Sequence, residues 1–368
     1  MAMTRTIAAT AGTVGTARIP RVRPWVAVEY WTLTKPEVNV LIVVATGAGF
    51  YLACPTYVDA FPVMRCLQAV LGTLLVAGGA ATLNQYVERR FDARMRRTAR
   101  RPLAAGRLAP AAALRFGVVL TVAGALYLAA AVNTLTSVLG VFTVATYLAV
   151  YTPLKRKTPL CTLLGACSGA MPPVIGWAAA SGRLSAEAWI LYGILFLWQF
   201  PHVMAIAWMY REDYDRAGYV VLPAGACRGR FMGWQCVLPA VVLFPVSLMP
   251  TFLGHADRAY LPGAFLLTSG FAWYAAQLAL RRSNATARRL LFASIIYLPA
   301  LLMLLMAEKT SPALGALGAG QGDEKAAVQT ALTDTGAEQP LPLRAGHDVN
   351  GRCGTLHERP QPRDHHSA

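Results

Sequence analysis

Apolar residues in this chain gather in long unbroken runs rather than in short alternating stripes. Nine runs are long enough to cross a bilayer as helices: 38–54, 66–85, 112–132, 134–152, 160–180, 187–207, 235–253, 260–280 and 290–307. The third and fourth are separated by almost nothing, which predicts a tight helical hairpin. No stretch alternates apolar and polar residues as a strand would. A spanning helix satisfies its own backbone groups in lipid, so the expected fold class is all-α, a polytopic membrane bundle of nine transmembrane helices.

The runs place a membrane domain at 33–309, between an N-terminal extension at 1–32 and a C-terminal tail at 310–368. Residues 1–28 are rich in Ala, Thr and Arg, carry no acid, and lack the apolar core of a cleavable secretory signal. They read as an unstructured extension, with a mitochondrial transit segment as the alternative. The tail mixes Gly, Ala, Pro and charges without periodicity and reads as disordered. Four of the six histidines, His347, His357, His365 and His366, are scattered through it and read as solvated. The seven cysteines show no metal-ligand spacing and read as free thiols.

Composition agrees with the pattern. Of 368 residues 55% are hydrophobic and 14% charged, well below the roughly one quarter of soluble domains. The net charge of +16 would suggest a nucleic-acid partner in a soluble protein. Here the charges alternate with the spans. With the N-terminus in the cytoplasm, the inside loops receive Arg89 to Arg107, Lys155 to Lys157, Arg211 to Arg230 and Arg281 to Arg289, whereas the opposite loops carry only Arg65, Arg183 and Arg258. That asymmetry sets orientation, supports the count of nine, and excludes a nucleic-acid stripe.

The candidate chemistry begins where the second span ends. Asn84, Glu88 and Asp92 sit four apart, which stacks a carboxamide and two carboxylates on one helix face at the bilayer surface. Arg96, Arg97, Arg100 and Arg101 follow. Oxygen donors of this kind suit Mg²⁺, and guanidinium groups suit phosphate oxygens. The bland alternative is a topology signal with exposed ion pairs. A second acidic group, Glu212, Asp213 and Asp215, follows the sixth span on the same side, where local pairing with Arg211 and Arg216 is the competing explanation. On that face also lie Lys35, Tyr151, Thr152, Lys155 and Arg156. Pro172 and Pro173 interrupt the fifth span, and Gln199 and His202 lie within the sixth, where polar groups point into protein rather than lipid.

Taken together, LTKPEVNVL (33–41), NQYVERRFDARMRRTARRPLAAGRL (84–108), YTPLKRKTPL (151–160), GAMPPVIGWAAASG (169–182) and WQFPHVMAIAWMYREDYDRAGY (198–219) resemble the UbiA superfamily of intramembrane prenyltransferases. Within it they are most similar to the protohaem IX farnesyltransferase (haem O synthase) family. The resemblance is dense over about 33–222; beyond that it rests on the number and length of spans. Many superfamily members carry Asp where this chain has Glu88, and REDYDR is not a clean second acidic motif.

The resemblance implies a bundle around a cavity open to the cytoplasmic side of a bacterial inner membrane, or alternatively of the mitochondrial inner membrane. It implies farnesyl diphosphate and haem b as substrates and Mg²⁺ as cofactor. It also implies handover of the product to a haem A synthase or to terminal oxidase assembly. Residue by residue, it implies Asn84, Glu88, Asp92 and Asp213 as catalytic metal ligands, with Glu212 and Asp215 as alternatives to Asp213. Arg97, Arg101, Lys155 and Arg156 become diphosphate-binding and His202 haem-binding. The competing functions are prenyl transfer to a quinone precursor or chlorophyllide, and a transporter, which broken helices and intramembrane polar residues suit equally.

Overall fold

The computed structural model describes residues 26–54 and 61–309. The N-terminal residues before 26 and the whole tail, with its four histidines, lie outside the described residues.

Long apolar runs become helices because lipid offers no other partner for the backbone. In chain order these are α1 (Val26–Leu33), α2 (Pro36–Ala53), α3 (Val63–Asp92), α4 (Pro110–Ala131) and α5 (Thr134–Ala145). A π-helical turn (Thr146–Tyr151) and the short α6 (Thr152–Leu154) complete the fourth span. Then come α7 (Cys161–Gly169), α8 (Pro172–Ser181), α9 (Ala186–Met209), α10 (Arg211–Ala217), α11 (Cys227–Phe252), α12 (Tyr260–Arg281) and α13 (Asn284–Ala307). Among the described residues nine spans are long and apolar enough to cross a membrane, and the only β pairing is an isolated bridge between Ala256 and Lys309. The protein is all-α and an integral, multi-pass membrane protein.

Helix ends and breaks fall where polar residues and prolines face protein. Helix α3 runs past the apolar span to Asp92, as the spacing of Asn84, Glu88 and Asp92 predicts, and its polar last turns are buried against neighbouring chain. The fifth span divides into α7 and α8 around Ala170 and Met171, with Pro172 and Pro173 opening the second piece, where a missing N–H is harmless. The extension expected to be unstructured is helical from Val26. Helix α1 exposes Val26, Val28 and Trp31, as a helix lying in the membrane interface does. Its Glu29 is buried and receives both Nε and Nη2 of Arg107. Gln85 Nε2 donates to the Leu33 carbonyl at 2.8 Å and ties the same helix to α3.

The helices pack by close backbone approach and by buried polar pairs, since lipid gives no hydrophobic drive for helix association. Helix α2 lies directly on α8: a Cβ at Gly49 would strike the Pro173 carbonyl, and one at Gly176 the Thr46 carbonyl. Between α11, α12 and α13, Ser247 Oγ lies 3.1 Å from Thr268 Oγ1, which lies 3.2 Å from the Tyr297 hydroxyl. Tyr260 donates to the Ser247 carbonyl at 2.8 Å. The largest apolar cluster runs through α9, α11, α12 and α13. Val119, Leu126, Leu266, Leu280 and Ile296 point outward, as lipid-facing side chains do.

The α2–α8 seam makes a stability prediction. Gly176→Ala is expected to destabilise the protein by about 1–3 kcal/mol, read as a lower midpoint in thermal unfolding of the purified full chain. Gly47→Ala, on the same α2 but with open space around the added methyl, is expected to be neutral.

Candidate active site

The bundle encloses a cavity of about 480 Å³, within the usual range of small-molecule sites. Most of its wall is apolar, contributed by residues such as Ile42, Ala45, Val76, Val144, Ile175 and Leu195. One part of the lining is charged, with four cations (Lys35, Arg97, Arg101, Lys155) against two carboxylates (Glu88, Asp92).

Asn84, Glu88 and Asp92 lie on the buried face of α3, at 1%, 5% and 1% exposure. A charged carboxylate so deep needs a partner, and each has one. Lys155 Nζ is 2.8 Å from Glu88 Oε1, and Arg101 Nη1 is 2.9 and 2.8 Å from the two oxygens of Asp92. Asn84 Oδ1 accepts from the Tyr147 hydroxyl at 3.0 Å, and its amide donates to Thr152 Oγ1 at 3.3 Å. Thr98 Oγ1 donates to the Asp92 carbonyl at 2.9 Å, folding the arginine-bearing loop back over the end of α3.

The π turn presents Tyr147 and Tyr151 to the cavity, and such turns concentrate at functional sites. Lys155 Nζ sits 4.4 Å above the Tyr151 ring. Gly165 admits that ring, since a Cβ there would lie 2.7 Å from it. Burial opposes charge on Lys155, but Tyr151 and the Glu88 carboxylate outweigh it and hold the amine well above its ordinary value. Burial, followed by the charge of Glu88, raises the Tyr219 hydroxyl, which therefore stays protonated in the same wall.

The second acidic group resolves into three environments. Glu212 and Asp215 have side chains 79% and 47% exposed, the latter 2.9 Å from Arg228 Nη2. Asp213 is buried, but it does not line the cavity. Its Oδ2 accepts from the Arg97 backbone N–H at 3.1 Å and its Oδ1 lies 3.0 Å from Arg216 Nη2. The structure thus brings Asn84, Glu88 and Asp92 to the cavity and gives Asp213 other partners, at the base of the arginine loop. Arg97 lines the cavity, its guanidinium 4.6 Å from the Tyr210 ring and its Nη2 3.3 Å from the Tyr214 hydroxyl. Arg156 does not line it and lies over the Phe91 ring at 4.6 Å. His202 lines the same cavity from α9, next to the stacked Trp198 ring.

Lys35 and Tyr151, which the sequence sets on this face, line the cavity, and Tyr147 and Tyr219 join them as wall residues that motif reading passed over. Lys35 stands before Pro36 with φ 53°, a left-handed backbone that costs a non-glycine residue roughly 1–2 kcal/mol. That conformation aims its amine into the cavity lining. Burial, then the charges of Arg101 and Lys155, lower the amine to about 8. The only sequence signal was a lysine directly before a helix-opening proline.

As a donor set, Asn84 Oδ1 with the Glu88 and Asp92 carboxylates is all-oxygen and fits a hard divalent cation such as Mg²⁺. The surplus of cations beside it fits an anion of more than one charge, and the apolar remainder fits a hydrocarbon chain. An apolar chamber within membrane helices, charged in one part of its wall, suits a lipid-like chain with an anionic head.

The UbiA prenyltransferase family matches residues 40–296, and the chain belongs to that family. It is 46% identical over 287 residues to the protoheme IX farnesyltransferase of Solibacter usitatus, covering 76% of this chain and 98% of that one. It is 40% identical over 289 residues to the protein of the same name from Koribacter versatilis, covering 77% and 93%. Among solved structures, a digeranylgeranylglyceryl phosphate synthase superposes with a TM-score of 0.61 at 16% identity, covering 77% of this chain and 98% of that chain. A UbiA homologue from Archaeoglobus fulgidus bound to GPP and Mg²⁺ superposes at 0.55 and 14% identity, covering 76% and 99%. At these identities the structures establish the shared fold.

A pH prediction follows from Lys35. Below about pH 8 it carries its charge; above that it is neutral. Affinity for a prenyl diphosphate is expected to fall as pH rises through about 8, by up to about tenfold per unit for one linked proton. Lys35→Arg should bind without that fall and Lys35→Met weakly throughout, both read by equilibrium binding to the purified protein. An unchanged slope in Lys35→Arg would assign the titration elsewhere.

Proposed function

We propose that this protein transfers the farnesyl group of farnesyl diphosphate to a vinyl group of haem b, giving haem O, at the cytoplasmic side of a bacterial inner membrane. The observation that carries the chemistry is one continuous cavity in which an amide–carboxylate face, four cations, an apolar chamber and His202 all take part. The identity to protoheme IX farnesyltransferases over most of the chain supports the acceptor. A quinone precursor or chlorophyllide would meet the same diphosphate end but has no comparable support. A transporter does not require a metal-binding face beside an arginine block, and the relatives are named as transferases.

In the reaction the allylic C–O bond breaks and its electron pair leaves with diphosphate. The vinyl π electrons of haem then form the new C–C bond, water adds to the adjacent carbon, and a proton is lost. Diphosphate leaves poorly unless its growing charge is met by pre-placed positive groups, usually the largest catalytic contribution. Lys35, Arg97, Arg101 and Lys155 do this from the lining. Mg²⁺, when held by Asn84, Glu88 and Asp92, supplies the remaining positive charge against the phosphate oxygens. Asp213 serves by fixing the Arg97 backbone, and Arg156 by closing over Phe91. The apolar walls keep water from the allylic cation until the acceptor attacks. His202 contacts the haem, and the product passes to a haem A synthase or to terminal oxidase assembly.

Membranes containing the full chain, given haem b, farnesyl diphosphate and Mg²⁺, are expected to yield a haem heavier by one hydroxyethylfarnesyl modification on mass analysis. Asp92→Asn should lower turnover by at least about 10²-fold, with haem binding unaffected. Diphosphate release without altered haem would keep prenyl transfer and discard the haem acceptor. No release from folded protein would remove the enzyme reading.

A further inference from the structure

His202 is the one imidazole in the cavity wall, and the structure constrains its two nitrogens differently. Its Nδ1 lies 2.7 Å from Ser294 Oγ on α13, and the same Oγ lies 2.6 Å from the Leu291 carbonyl oxygen. Contacts this short each need a proton between two lone-pair atoms. Serine brings one proton. The carbonyl has none to give, so the serine proton lies on the Leu291 side and the proton of the other contact belongs to Nδ1.

We infer that Ser294 is the positioning residue that holds His202 as its Nδ1–H tautomer, leaving the Nε2 lone pair open to the cavity. Ser294 is fully buried, and α9 grips it twice: the Trp198 indole donates to the Ser294 carbonyl at 2.9 Å while Trp198 stacks on the His202 ring at 4.7 Å. Nε2 makes no hydrogen bond to any described residue. No described carboxylate is paired with His202, so a doubly protonated ring would be an unpaired cation in an apolar wall.

The tautomer decides how His202 meets haem. A histidine can recognise haem b by donating an N–H to a propionate or by offering a lone pair to the iron. With the proton on Nδ1 and committed to Ser294, only the second is open at the cavity face. His202 is therefore an axial ligand for the iron of the haem substrate, and Ser294 anchors its far nitrogen, as partners of metal-ligating histidines do. This assignment rests on the haem-acceptor reading, which it deepens.

The test is nitrogen NMR on the full chain, ¹⁵N-labelled at histidine, in lipid nanodiscs without substrate, with His202→Gln identifying the resonance. The expected spectrum has a protonated Nδ1 and an unprotonated Nε2. A protonated Nε2 overturns the inference even if haem is still farnesylated. Haem b titration supplies the second readout. Wild type should give a histidine-ligated Soret band, Ser294→Ala should bind haem at least about tenfold more weakly with a mixture of tautomers, and Ser294→Thr should restore both. Unchanged haem binding in Ser294→Ala, or a Soret band indifferent to His202→Gln, overturns the ligand assignment. Loss of farnesylated haem from a wild-type protein that has the expected tautomer would instead count against the acceptor reading.

Discussion

Buried charge must be answered by charge, and the site of this protein is built on that constraint. Glu88 and Asp92 lie in a helix face that the bundle closes off from water. Left alone they would take up protons rather than bear the desolvation cost of their charge. Lys155 reaches one from beyond the fourth span, and Arg101 reaches the other from the loop after α3. The two pairs therefore fix where span four ends and how the arginine loop folds back. The same cations are then in place for a phosphate group. The loop is held at its other side by Asp213 on the Arg97 amide and by Arg107 on Glu29, so the mouth of the cavity is assembled from four separate parts of the chain.

Much of this was legible in the sequence because lipid leaves the chain few options. Nine apolar runs gave nine spans, and the four-residue spacing of Asn84, Glu88 and Asp92 survived as one buried face, since helix geometry alone sets it. What could not be read were features set by distant neighbours. REDYDR holds three acids within about one helical turn, and only packing against the arginine loop singles out Asp213 for burial. Helix α1 is too short for periodicity to declare, and its anchor, Arg107, is 78 residues away. The sequence sets Lys35 on this face, but the left-handed backbone it adopts there is favoured by no propensity.

The bundle divides its labour unevenly. The fifth and sixth spans are the most enclosed, and they carry the segments most specific to the site's far end, including Gln199 and His202. The third and fourth spans present much of their surface outward and serve chiefly as wall. The charged groups of the lining come chiefly from the end of α3, the arginine loop and Lys155, whereas α7, α8 and α9 line the cavity with mostly apolar and small residues.

The π turn at Thr146–Tyr151 carries a consequence for how this site tolerates insertion and deletion. A π turn is an α-helix with one residue too many, accommodated locally so that the chain on either side keeps its place. Removing any single residue from it would regularise the hydrogen bonding and leave hydropathy almost unchanged. Because the turn already absorbs the extra residue, the chain beyond it would keep its place. Thr152 and Lys155 would stay on the sides on which they meet Asn84 and Glu88. What a regular helix here would lose is the widened turn that carries Tyr147 and Tyr151 to the cavity, so this span can shorten by one residue without stranding the buried carboxylate.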